Sequence, residues 1–124
     1  MSKSLRLLIA DDRRDVAWVL KALLTRAGHE VDIVQDGESC LERAREIVPH
    51  AIISDIALEG SLDGYDLARA VRADASIAAS YLIALTGYCD DEHRRLAREA
   101  GFDRYFVKPI PIHELLKILD EISP

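Results

Sequence analysis

The chain has 124 residues, 49% of them apolar, and a net charge of −6, with Lys and Arg interleaved among the acids. That is enough apolar surface for one self-supporting domain, and the missing basic face excludes general nucleic-acid binding, which needs concentrated Lys and Arg against phosphates. Cys40 and Cys89 make neither a disulfide framework nor a metal-ligand pair and suit a reducing compartment. The first apolar run, about six residues, falls short of a signal peptide's ~7–15-residue core. Nothing nears the ~20 apolar residues of a membrane span. The expectation is a cytoplasmic protein, one whole domain over residues 1–124.

Leu5-Arg6-Leu7-Leu8-Ile9-Ala10 reads as a strand that runs into Asp11-Asp12. Val16, Leu20, Leu23, Leu24 and Ala27 then recur at helical spacing and stop at Gly28, a usual C-terminal cap. Trp18 falls off this stripe, where an exposed ring would mark a contact surface. Glu30 to Val34 has a strand's composition. Asp36-Gly37 turns into Ser39-Cys40-Leu41-Glu42, a capping-box pattern opening a second helix with Leu41, Ala44, Ile47 and Val48 inward, stopped by Pro49. The run His50-Ala51-Ile52-Ile53-Ser54 is a third strand ending in Asp55, and Asp63 caps a third helix carrying Leu67, Ala68 and Val71.

The fourth strand, Tyr81 to Leu85, runs into Thr86-Gly87. A helix from Asp90 to Gly101 follows, acids first and mostly bases later, as its dipole favours. Its apolar stripe, Leu96, Ala97 and Ala100, is thin, which makes it the candidate mobile element. Tyr105-Phe106-Val107 leads into Lys108-Pro109, and Pro111 opens a last helix with Ile112, Leu115, Leu116, Leu119 and Ile122 on one face, reaching Ser123-Pro124. His29, His50, His93 and His113 show no ligand spacing and read as solvated or partly packed.

Five strands separated by helices of this length require right-handed crossovers and a parallel sheet covered on both faces. The simplest match is a three-layer, doubly wound (βα)5 domain with strand order 2-1-3-4-5, flavodoxin-like in topology. In such a sheet ligands sit beyond the carboxyl ends of the strands, so Asp11, Asp12, Asp55, Thr86 and Lys108 would face one spot. Taken singly, Asp11 or Asp12 reads as a helix cap and Lys108 as a surface lysine; their convergence turns the reading. Three carboxylates within ~5 Å would repel by roughly 3 kcal/mol per pair at an effective dielectric of ~20, so the cluster would protonate or bind a cation. Mg²⁺ suits hard oxygen ligands and leaves room for a phosphoryl oxygen, and a carboxylate can accept a phosphoryl group as an aspartyl-phosphate.

These residues, in this order along essentially the whole chain, resemble the receiver domain of two-component response regulators, of which the chemotaxis regulator is the minimal single-domain case. The resemblance implies Asp55 as phosphoacceptor and Asp11, Asp12, Asp55 and the Ala57 backbone carbonyl as ligands of Mg²⁺, with Mn²⁺ as a substitute. It implies Thr86 as the switch hydroxyl, Lys108 as the phosphoryl-contacting lysine and Tyr105 as an aromatic switch that rotates inward after phosphorylation. Ala57 and Tyr88 fall on positions that tune phosphoryl lifetime; a small Ala57 leaves the attacking water unassisted, while Tyr88 partly shields it. Arg13 is placed to compete for the acidic pair or to contact phosphate.

The partners implied are a sensor histidine kinase or histidine phosphotransfer protein and an unknown downstream protein, reached through the fourth helix, fifth strand and fifth helix. No nucleic acid or membrane is contacted directly, and the state is a monomer or a phosphorylation-dependent dimer. Such a domain assists its own phosphorylation without being a turnover enzyme. The chain departs from the pattern at Ile56 to Leu62, which lacks the usual proline and is one residue longer than the commonest form. Competing readings are a phosphorylation-independent interaction module of the same fold, a haloacid-dehalogenase-type hydrolase, for which no DxD follows the first strand, and an FMN protein, for which no Ser/Thr/Gly-rich loop does.

Overall fold

Strand and helix alternate five times in the computed structural model, which describes residues 4–122. The elements are β1 (Arg6–Ala10), α1 (Arg14–Arg26), β2 (Glu30–Val34), α2 (Gly37–Ile47), β3 (Ala51–Ser54), α3 (Gly64–Ala73), β4 (Tyr81–Thr86), α4 (Asp91–Ala100), β5 (Arg104–Val107) and α5 (Ile112–Glu121). The expected helical reach to Ser123-Pro124 lies outside the described residues. All neighbouring strands pair parallel, in the order β2-β1-β3-β4-β5.

Because successive side chains alternate across a strand, the continuous apolar runs feed two cores at once. Leu8, Ala10, Ile52 and Ala84 face the side covered by α2, α3 and α4, where Ala44, Leu67, Val71 and Ala97 pack. Leu7, Ile9, Ile53 and Leu85 face the other side, against Leu20 and Leu24 of α1 and Leu115 and Leu119 of α5. The three-layer expectation holds.

Several local expectations shift. The inward stripe of α1 is Ala17, Leu20 and Leu24, while Leu23 is exposed, as are Val19 and Trp18, whose ring lies 5.2 Å from the Lys21 ammonium. Neither acid caps α1: Arg13 holds the cap position without a side-chain bond. In α2 the Ser39–Glu42 box does not form, because the Asp36 carboxylate accepts from Ser39 N–H and starts the helix at Gly37. Gly37 is required there, since a Cβ would lie 2.8 Å from Leu62 Cβ. Val48 closes α2 with φ 46° and points to solvent instead of inward. Asp63 caps α3 as expected, in a reciprocal box with Asp66.

Arg72, on α3, ties one corner together. Its guanidinium donates to the carbonyls of Ala78, Ser80 and Gly101 and to the Asp103 carboxylate, which also accepts from Leu82 N–H at 2.8 Å. Two histidines also turn out to be structural. His29 is buried and accepts from Leu5 N–H through Nδ1, more enclosed than the solvated or partly packed expectation, and His50 Nδ1 accepts from Arg6 N–H at 2.8 Å. Each histidine precedes a strand that flanks β1, so the pair fixes where β1 begins between its neighbours.

Burial, and then the Arg6 charge, hold His50 below its ordinary value of 6.5. A group whose folded value is depressed contributes stability above its unfolded value and loses it as pH falls through the folded one. Thermal melts between pH 7.5 and 5 will therefore show wild type losing stability on acidification more steeply than His50→Asn, whose amide oxygen accepts the Arg6 N–H at either pH.

Candidate functional site

Register brings the carboxyl ends of four strands together. Ala10 is paired with Ser54, Ser54 with Ala84, and Thr86 with Val107, so Asp11, Asp55 and Lys108 each leave the sheet one residue past a paired position. The ladder continues beyond the strands: Asp55 N–H donates to Ala10 O at 3.0 Å and Lys108 N–H to Thr86 O at 2.8 Å. Lys108-Pro109 is a cis peptide. Asp11, Asp55 and Thr86 are all buried.

Lys108 occupies the centre. Its Nζ donates to Asp55 Oδ2 at 2.9 Å and to Asp11 Oδ2 at 3.1 Å. The remaining oxygens are also held, Asp55 Oδ1 by Ala57 N–H and Asp11 Oδ1 by Arg13 N–H. Burial pulls the ammonium's affinity for its proton down, but the hydrogen bonds and charges of Asp55 and Asp11 more than offset it, and Lys108 sits above the ordinary lysine value.

In this arrangement the acids are partnered by a lysine as well as placed at neighbouring strand ends. Among the described residues no three His, Cys, Asp or Glu side chains are grouped closely enough to hold a metal ion. The repulsion between Asp11 and Asp55 is relieved by an internal cation, Lys108, while Asp12 is half-buried and makes no ion pair among the described residues. The donor chemistry nevertheless fits a hard divalent ion. The Asp12 carboxylate and the Ala57 carbonyl accept no hydrogen bond from the described residues; Asp12 comes two residues after Ala10, which pairs with Ser54, and Ala57 two residues after Asp55.

The long loop after Asp55 is anchored by Ile56 and Leu58, both buried, while Ala57, Glu59, Gly60 and Ser61 are exposed. The Ser61 hydroxyl donates to Glu38 of α2, and Gly60 takes a positive φ of 101°. Gly64 seats the loop: a Cβ there would lie 2.5 Å from both Asp55 O and Ile56 Cα, so only glycine lets α3 start this close to the acceptor's backbone. A cleft of about 550 Å³ beside Asp12 is rimmed by Asp36, Glu38, Glu42 and Glu59. A second, of about 640 Å³, opens at the other end of the sheet around His50, Ile77 and Tyr81, away from these groups.

On the β4 side, Thr86 Oγ1 accepts from Tyr88 N–H at 3.4 Å, and the Tyr105 hydroxyl donates to Tyr88 O at 2.6 Å. The Tyr105 ring already packs against the core, with the Arg94 guanidinium 4.8 Å from its centroid, and burial pushes its hydroxyl up to about 12. Tyr105 is half-buried, its ring against the core and its hydroxyl on the β4–α4 loop. The Tyr88 ring stacks on His93, a partner the sequence pattern did not flag. Arg13 is exposed, and its backbone N–H donates to Asp11 Oδ1 while its side chain makes no ion pair among the described residues.

The family model of the response regulator receiver domain matches residues 7–120. The chain belongs to this family. A response regulator from Chloroflexus aurantiacus has a crystal structure that superposes with a TM-score of 0.89 at 34% identity, covering 96% of this chain and 97% of that one. The receiver domain of the sensor histidine kinase PA1611 from Pseudomonas aeruginosa, solved with magnesium coordinated in its active-site cleft, superposes with a TM-score of 0.87 at 30% identity over 97% of this chain and 98% of its own. The DNA-binding response regulator MtrA of Mycobacterium tuberculosis is 32% identical over 111 residues, which are 90% of this chain and 47% of MtrA. The chain thus spans about half the length of the curated relatives of that kind. Receiver domains are phosphoacceptor switches of two-component systems, and among the described residues no helix is long and apolar enough to cross a membrane.

If Lys108 is the internal counter-ion of this receiver site, Lys108→Met leaves two carboxylates facing each other unpaired. The loss of its charge-assisted hydrogen bonds will lower stability by about 1–3 kcal/mol at neutral pH, read as a shift in the urea midpoint without change in slope.

Proposed function

We propose that the chain is a phosphoryl-accepting signalling switch in which Asp55 takes the phosphoryl group from a phosphohistidine of a sensor kinase or histidine phosphotransfer protein. The observation that carries this reading is Lys108 bridging Asp55 and Asp11 at the ends of adjacent strands. An Asp55 carboxylate oxygen attacks phosphorus, the P–N bond to the donor imidazole breaks, and that nitrogen keeps the electron pair. Lys108, already charged and aimed at Asp55, turns its ammonium to the incoming phosphoryl oxygens, and Thr86 offers its hydroxyl proton to one of them.

Asp11, Asp12, Asp55 and the Ala57 carbonyl would hold Mg²⁺, with Mn²⁺ as a substitute. The ion would supply positive charge to the transferred group. Lys108 would share the charge of Asp11 and Asp55 with such an ion. The chain turns over no substrate of its own. It acts in the cytoplasm, as a monomer or a phosphorylation-dependent dimer, through the α4, β5 and α5 face toward a downstream protein, without direct nucleic-acid contact. A phosphorylation-independent interaction module is the second reading, favoured by the inward Tyr105.

Intact mass measured after incubation with Mg²⁺ and acetyl phosphate will show an adduct of one phosphoryl group on wild type and none on Asp55→Asn. A wild type that stays unmodified while folded sinks the switch and leaves the constitutive module. Ala57 brings no polar group to the attacking water, and Tyr88 is held against His93, so neither assists hydrolysis. Slow self-dephosphorylation follows, with Ala57→Asn losing its phosphoryl group several-fold faster; equal decay rates of the two adducts would refute this.

A further inference from the structure

The loop between β4 and α4 is held by more than its backbone. The Tyr88 ring stacks on His93 with centroids 4.0 Å apart and planes 12° apart. His93 is itself fixed at the start of α4, its Nδ1 2.5 Å from Asp90 Oδ1 and its N–H donating to Asp90 Oδ2. The next residue, Arg94, lies over the Tyr105 ring, and the Tyr105 hydroxyl closes the circuit on Tyr88 O. Two consecutive residues of α4 therefore grip two aromatic rings, and the hydroxyl of one, Tyr105, is bonded to the backbone carbonyl of the other, Tyr88. Tyr88 N–H ties that circuit to Thr86 Oγ1.

We propose that His93 is a positioning residue which, by stacking on Tyr88, holds the β4–α4 loop inward before any phosphoryl group arrives. The resting balance of the switch then lies toward the arrangement in which Tyr105 is packed and the α4–β5 surface is set. Phosphorylation at Asp55 tightens this balance through Thr86 instead of creating it. This rests on the phosphoacceptor reading for its signalling meaning, though the clamp itself is a property of the unmodified chain. An aromatic pair of this geometry shifts such a two-state balance about two- to tenfold.

The chain carries its own reporter. Cys89 is exposed beside Tyr88, whereas Cys40 is buried and its thiol is pushed up to about 12 by that burial, so a trifluoromethyl tag reacts at Cys89 alone. Fluorine spectra of the tagged protein are compared with and without Mg²⁺ and beryllofluoride, a stable phosphoryl mimic, for wild type, His93→Ala, His93→Gln and His93→Phe. In mimic-free protein, wild type and His93→Phe should lie near the mimic-saturated position. His93→Ala and His93→Gln should lie away from it, with amide exchange at Cys89 and Asp90 raised about two- to tenfold.

The clamp is overturned if mimic-free His93→Ala coincides with wild type, if His93→Phe behaves like His93→Ala, or if wild type moves on mimic addition as far as His93→Ala does. Beryllofluoride without effect on any variant would count against Asp55 as acceptor. The mimic-free exchange rates would still decide the clamp.

Discussion

One ammonium group between two carboxylates sets the terms for the rest of this molecule. Lys108 reaches from the end of β5 across the top of the sheet to Asp55 and Asp11, which follow β3 and β1. A side chain can do this only if the strands stand in the right order and register, and the parallel pairing of Ala10 with Ser54 and Ser54 with Ala84 provides that. Partial burial makes the contact consequential. At a residual side-chain exposure of 20% for Lys108 and below 10% for both acids, the charges are neither screened as surface pairs nor stranded as unpaired buried ions. The strongest local attraction in the resting site is thus also the one that chemistry at Asp55 must rearrange.

The two cores serve that geometry. Continuous apolar strands hold helices on both faces, and glycine permits the two closest approaches near the site: Gly37 against Leu62, and Gly64 against the backbone of Asp55 and Ile56. The loop that carries Ala57 is therefore pinned at both ends, by its two buried apolar residues and by the start of α3, although its outer residues face solvent.

Most of the architecture could be read from the chain because strand and helix periods, turn residues and the positions of the acids all agree. Helix ends were less legible. Asp36 outcompeted Ser39 as a cap, and Leu23 matched the helical period yet faces out, because 3.6-residue spacing alone does not say which of two adjacent leucines meets the sheet. The site residues were found from their strand-end positions, but the way they are partnered was not. A lysine distant in sequence neutralised the acids before any metal was considered, and nothing local to Asp11 or Asp55 announces that. Likewise Tyr88, Tyr105 and His93 meet only because α4 folds back over β5. The structural use of His29 and His50 as acceptors for β1 has no sequence signature at all.

The guanidinium of Arg72 grips the carbonyl of Gly101 just past the last turn of α4, while the opposite end of that helix depends on Asp90 and the aromatic contacts around it. Only Ala97 and Ala100, near the gripped end, are fully buried. A rod fastened at its heel and lightly seated at its toe swings more readily than it slides. A displacement of the loop before Asp91 is therefore widest at the first turn of α4, where Arg94 lies over the Tyr105 ring, and dies away toward Gly101.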